Sequence, residues 1–176
     1  MLRNLKLNFI FFFLIILSIL FSCSKDAADL RELDVESAKL QLSSGNCQAA
    51  IDILESAGRD LLYYDYVRTL ASAYACRAGF GELDFFANDV PIINATTQTD
   101  IIRSLAQFST STEVAADSSS YTDLLTAINL LLYAGNLTTP NSAGRAAAFG
   151  SRRANDINLQ LIYMMLAQMG KYFHYY

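Results

Sequence analysis

The chain has 176 residues, of which 53% are hydrophobic and 17% charged, with a formal net charge of −4. A chain of this size buries roughly two-thirds of its unfolded surface, enough for one core, so a single domain is expected. The basic residues do not cluster, Arg152-Arg153 being an isolated pair, which argues against nucleic-acid binding through neutralised phosphates.

Residues 1–22 read as a targeting segment. Arg3 and Lys6 form a short positive region, Phe9 to Leu17 is uninterrupted apolar, and the run continues to Phe21. It is shorter than the ~20 apolar residues of a spanning helix and matches a secretory signal. The run ends in Leu20-Phe21-Ser22-Cys23. This resembles the lipobox of bacterial lipoproteins: Leu at −3, a small residue at −1, then an obligatory Cys. The resemblance implies a diacylglyceryl thioether on Cys23, cleavage before it, and acylation of the new amine. Phe21 is bulkier than the usual Ala or Ser at −2. An uncleaved anchor and a non-lipidated export signal are the alternatives. More than one acyl chain holds a protein stably on a bilayer. Residues 23–29 then read as a lipidated tether and residues 30–176 as the domain. Ser24 follows the Cys; in enteric members of that family the absence of Asp there favours the outer membrane, facing the periplasm. Without Arg3 and Lys6 the chain carries 11 basic against 17 acidic side chains. Such a surface suits anchorage by lipid rather than by charge at an anionic bilayer.

Asp29 to Ser43 places Leu30, Leu33, Ala38 and Leu42 between the acids Glu32, Asp34 and Glu36, and is expected to be a helix. Ser44 to Gly79 reads as two antiparallel helices with a turn at Asp60 to Tyr63. Ala50, Ile51, Leu54 and Ala57 make one stripe; Val67, Leu70, Ala71, Tyr74, Ala75 and Ala78 make the other, at the period of a half-buried helix. Gly45, Gly58 and Gly79 end or connect these helices. Gly45 and Gly79 are 34 residues apart, a spacing typical of helical repeats.

GNCQAAIDILESA, from Gly45, resembles the second helix of a tetratricopeptide repeat through Gly45, Asn46, Ala50, Ile51, Leu54 and Ala57; Cys47 stands where the motif has an aromatic. LASAYACRAG resembles the first helix of the next repeat through Leu70, Ala71, Tyr74 and Gly79, one residue too long. The resemblance covers residues 37–79 and returns in LAQMGKYF, where Gly170, Lys171 and Tyr172 copy the inter-helix turn. It implies an all-α, tetratricopeptide-like array of antiparallel helical hairpins, in which the first helix of each repeat lines a concave surface. Carried over to the second repeat, that surface holds Tyr66, Arg68, Thr69 and Ser72. The alternative is an ordinary helical hairpin.

With Cys23 assigned to lipid, Cys47 and Cys76 remain. An exported protein meets an oxidising compartment in most cell envelopes, so the two are expected to pair. They lie equidistant from the turn at Asp60 to Tyr63, hence level with one another at the open end of the hairpin. Two buried free thiols are the alternative. Two Cys and the distant His174 do not make a metal-ligand set.

Beyond Gly79, GELDFFAND suggests a short apolar helix through Leu83, Phe85 and Phe86, broken by Pro91, with Pro91-Ile92-Ile93 an extended connection. Thr97 to Asp100 is a capping signal for a helix from Ile101 to Phe108. Ser109 to Ser120 is a low-complexity polar loop, expected to be mobile. Tyr121 to Ala134 is a strong helix with Leu124, Leu125, Ile128, Leu131 and Leu132 on one stripe, closed by Gly135. Pro140 and Gly144 punctuate a loop, and Arg145 to Phe149 is a short turn or helix. Asn155 or Asp156 caps a final helix through Ile157, Leu161, Met164, Met165 and Gln168. The chain stops at KYFHYY without a helix stop signal; either the helix after Gly170 is very short or the chain is a fragment of a longer protein, and the fragment is the expectation.

The sequence carries little chemistry. There is no Ser-His-Asp set, no phosphate-cradling glycine loop and no HExxH. His174 sits in an aromatic cluster, where packing is the expected role. Asp26 with Asp29, and Glu32 with Glu36, read as a solvated face. No catalytic residue, cofactor or metal is expected. The ten tyrosines suit core packing and contact surfaces. The expected function is non-catalytic: a membrane-anchored envelope scaffold that binds a protein or peptide in its groove. A small-ligand or transport-accessory lipoprotein with an apolar cavity is the alternative, on the precedent of tetratricopeptide lipoproteins that serve TRAP-type transporters.

Overall fold

The computed structural model describes residues 27–94, 96–108, 115 and 118–175. The leader, Cys23 and residues 23–26 of the tether lie outside the described residues, as does most of the Ser109 to Ser120 loop. The described residues form eight α-helices and no strand: α1 (Ala27–Ser43), α2 (Cys47–Ser56), α3 (Tyr64–Arg77), α4 (Glu82–Asp84), α5 (Gln98–Leu105), α6 (Ser119–Leu132), α7 (Ser142–Phe149) and α8 (Ser151–Tyr175). By its contacts the chain divides into two units, residues 1–33 and 34–176. Of the first, the described part is the opening of α1, where Leu30 and Leu33 are about half exposed.

In the second unit α3 is the central helix. It packs against α2 and α6, and α8 packs against α5, α6 and α7 and more lightly against α3. The α2–α3 hairpin has the expected turn, in which the Leu62 N–H donates to Asp60 Oδ1 at 3.0 Å and the Tyr63 N–H to the Asp60 carbonyl at 3.3 Å. Ala50, Ile51 and Leu54 face Val67, Leu70 and Ala71 within one buried cluster. Val35 and Ala38, rather than Leu30 and Leu33, are the buried residues of α1. With half-buried Leu42 they stand at i, i+3 and i+7, one face of a helix.

Two helix ends are built alike. After α1 the Gly45 N–H donates to the Leu42 carbonyl and the Asn46 N–H to that of Gln41; after α3 the Gly79 N–H donates to Cys76 and the Phe80 N–H to Ala75. Both glycines are left-handed, at φ +75° and +81°, as this paired-bond C-terminal motif requires.

Beyond Gly79 the local expectations are corrected. Glu82–Asp84 runs into a π-turn, Phe85–Asp89, and then a 3₁₀ turn, Val90–Ile92, where an extended connection from Pro91 is expected. Of its apolar residues only Phe85 enters the core, with its ring centroid 5.5–5.7 Å from those of Phe80, Phe86, Phe108 and Tyr163. Leu83, two residues earlier, is 86% exposed, because residues two apart on a helix do not share a face. Thr97 caps α5 through the Asp100 N–H, at 3.1 Å. Ser118 caps α6, so Ser119 and Ser120 are helical rather than loop.

Gly144 is helical, its N–H bonded to Asn141 Oδ1 at 2.6 Å. Gly150, at φ +80°, separates α7 from α8, and neither Asn155 nor Asp156 is a cap. The turn expected at Gly170 is absent: α8 continues unbroken to Tyr175. Gly, Lys and Tyr in that order do not stop a helix unless the glycine turns left-handed, and Gly170 is buried inside one.

Candidate functional site

The expected disulfide is present. Cys47 and Cys76 are bonded, with Cα atoms 5.6 Å apart, joining the first turn of α2 to the last of α3. Beside it, Arg77 Nη1 donates to Gln48 Oε1 at 2.6 Å, and its guanidinium lies 5.1 Å from the Tyr74 ring centroid.

The four residues expected on a concave surface divide into two pairs. Tyr66 is fully buried and donates its hydroxyl to the Leu54 carbonyl at 3.1 Å, which holds α3 to α2. Thr69 is buried as well. A partner in the groove cannot reach either without unfolding the hairpin. The reason is positional: α3 is covered by α2 on one side and α6 on another, so two of its faces are interior.

Arg68 and Ser72 stand on the remaining side, in a row with Tyr64 at i, i+4 and i+8. This row faces Asp156, Gln160 and Met164 of α8, spaced the same way. Tyr64 donates to Asp156 Oδ2 at 2.9 Å. Arg68 donates from Nη1 to the Tyr64 hydroxyl at 2.8 Å and from Nε to Gln160 Oε1 at 3.1 Å. Gln160 in turn donates to Ser72 Oγ at 2.8 Å. Burial, and then the Asp156 carboxylate, push the Tyr64 hydroxyl above its ordinary pKa, so it stays a donor. The Tyr64 ring also carries the guanidinium groups of Arg68 and Arg153, at 5.4 and 5.2 Å from its centroid.

At the far end of this row a half-open pocket of about 330 Å³ lies among Leu42, Arg68, Ser72, Phe80, Glu82 and Met164. Its apolar walls come from three separate elements, and Arg68 and Glu82 give it one charge of each sign. Gln160, which orients Arg68, is 3% exposed. Sequence reading misses it and Asp156 because they lie 92 residues from the groups they bind. The signal that finds them is the i, i+4, i+8 row itself, once the inner face of α8 is known.

His174 is exposed, with Nδ1 3.0 Å from the Ala106 carbonyl. Among the described residues no group of three or more His, Cys, Asp or Glu could hold a metal ion, and no helix is long and apolar enough to cross a membrane. Comparison with family models, curated proteins and solved structures finds no match to the chain.

Proposed function

We propose that the chain is a lipid-anchored lipoprotein of a bacterial cell envelope, acting as a non-catalytic scaffold that receives a protein or peptide in the groove between α3 and α8. The reading rests on Arg68. The residue is half-buried and its guanidinium is held by Tyr64 and Gln160. Among the described residues neither partner is a carboxylate. A guanidinium oriented in this way is suited to receive an acidic group with geometric specificity, and Phe80 and Met164 supply adjoining apolar surface.

Three further features agree with it. The lipobox-like leader implies export and attachment through Cys23. The Cys47–Cys76 disulfide belongs to an oxidising, extracytoplasmic setting. The matched helix ends at Gly45 and Gly79 repeat after 34 residues, in keeping with a tetratricopeptide-like origin for α1 to α3. The unbroken course of α8 through Gly170 confines that reading to the first half of the chain.

Capture of a small amphipathic ligand is the second reading, favoured by the size of the pocket, which sits at the lower end of the range for small-molecule sites. Native mass spectrometry of the protein extracted from its own membranes separates the two. A protein or peptide adduct that disappears in Arg68→Ala supports the scaffold; a small-molecule adduct supports the second reading. Adducts unchanged by Arg68→Ala overturn the assignment of the groove. Cys23→Ser is expected to release the protein from membranes; membrane-bound mature protein in that variant overturns the anchor.

A further inference from the structure

The outward face of α8 is apolar from Leu159 to Tyr172. Leu159, Ile162, Met165, Met169 and Tyr172 are each between 44% and 52% exposed, and half-buried Leu166 lies among them. Between Ile157 and Tyr175 the one Lys, Arg, Asp or Glu is Lys171, which is buried and donates to Ser120 Oγ at 2.7 Å. No charge therefore interrupts the face. Leu159, Ile162, Leu166, Met169 and Phe173 fall at alternating spacings of three and four, the seam of a helix that packs lengthwise on another helix, with Leu166 and Phe173 also half-buried against the core of their own chain. To one side of it the Phe86 ring meets that of Tyr163 edge-on at 4.8 Å.

We infer that this face is where two copies of the chain associate, α8 against α8 in antiparallel. Taking about 200 Å² for a fully exposed large side chain, the exposed residues of α8 present roughly 500 Å² of apolar surface. Two such faces in contact bury about 1,000 Å² in total, the threshold of a specific interface. An antiparallel pairing about residue 164 sets Leu159 level with Met169 and Ile162 level with Leu166, so apolar groups meet apolar groups between residues 159 and 169, and Phe173 comes level with Asn155 beyond that stretch. It also sets exposed Arg152, at the start of one α8, near the C-terminal end of the other, where the helix dipole is negative and favours a cation. The groove of Arg68 is formed by the opposite side of α8 and stays open in such a dimer, so the inference stands apart from the function proposed above.

The test uses the full chain, co-expressed with two different affinity tags and extracted in mild detergent. Capture through one tag is expected to recover the other. Ile162→Asp with Met169→Asp is expected to lower that recovery at least tenfold while the circular dichroism spectrum and the Cys47–Cys76 bond remain. Ile162→Asn with Met169→Gln, which adds no charge, is expected to lower it less. Lack of co-recovery in the wild type, recovery of some other protein without the second tag, or recovery equal in wild type and both variants overturns the inference.

Discussion

Arg77 grips Asp123 with both arms of its guanidinium, Nε to Oδ2 at 2.7 Å and Nη2 to Oδ1 at 2.6 Å, and so ties the end of α3 to the start of α6. The carboxylate lifts the Arg77 pKa further above its ordinary value. Asp123 is 8% exposed, so losing its partner strands a charge in a poorly hydrated place. Arg77→Ala is expected to lower unfolding free energy by about 2 kcal/mol. Arg77→Leu combined with Asp123→Leu is expected to cost less than Arg77→Ala alone, since no charge is then left without its partner. Urea titration of the three proteins checks both statements.

The disulfide one residue away acts on the unfolded chain. It joins positions 29 apart in sequence, and closing a loop of that size stabilises by roughly 3 to 4 kcal/mol in the chain-entropy picture. Replacing Cys47 and Cys76 by Ala, or reducing the bond, is expected to lower the denaturation midpoint accordingly. Intact mass under non-reducing conditions should sit two hydrogens below that of the dithiol, and a mass equal to the dithiol contradicts the bond.

Acid sensitivity has a local source in Glu55. Its carboxylate receives three hydrogen bonds from Arg59 at 2.6–3.1 Å and one from the Tyr74 hydroxyl at 3.0 Å. These interactions, those of Arg59 above all, hold it below the ordinary value of 4.5. A carboxylate depressed in the folded state stabilises fully above its unfolded pKa and ceases to do so as pH falls through the folded one. Stability from Glu55 is therefore level near neutrality and declines below about 4.5. Because the Arg59 side chain is 54% exposed, the amplitude is under about 1 kcal/mol. Glu55→Gln is expected to flatten this part of the stability-versus-pH curve and to lower stability at pH 7; an unchanged curve contradicts the attribution.

Two left-handed glycines separate backbone strain from packing. Gly58, at φ +81°, has open space where a Cβ would stand, while a Cβ on Gly135, at φ +85°, would lie 2.7 Å from that of Ala148. Gly58→Ala is expected to cost about 1 kcal/mol for the backbone alone. Gly135→Ala is expected to cost about 3 kcal/mol, since α7 must also shift. The Gly135 N–H donates to the Leu61 carbonyl at 2.7 Å, so that shift reaches the α2–α3 turn. Thermal melting of the pair checks the order.

Local pattern alone determines the all-helical class, the α2–α3 hairpin and its turn, the caps at Thr97 and the paired helix ends at Gly45 and Gly79. Each depends on groups within a few residues of one another, and backbone hydrogen bonding or side-chain period states the answer directly. The pairing of Cys47 with Cys76 was equally legible, because an antiparallel hairpin converts sequence distance from the turn into spatial level. What the tertiary structure decided is which faces remain available. Tyr66 and Thr69 carry the same helical period as Arg68 and Ser72, and only the placement of α6 and α8 makes the first pair interior and leaves the second lining a groove. The same applies to Phe85 against Leu83, to the buried row of α8 against its open one, and to Gly170, which ends a helix only if the backbone turns there. Burial depends on what lies across the gap, and the residues across it are up to 92 positions away along the chain, beyond the reach of any local period.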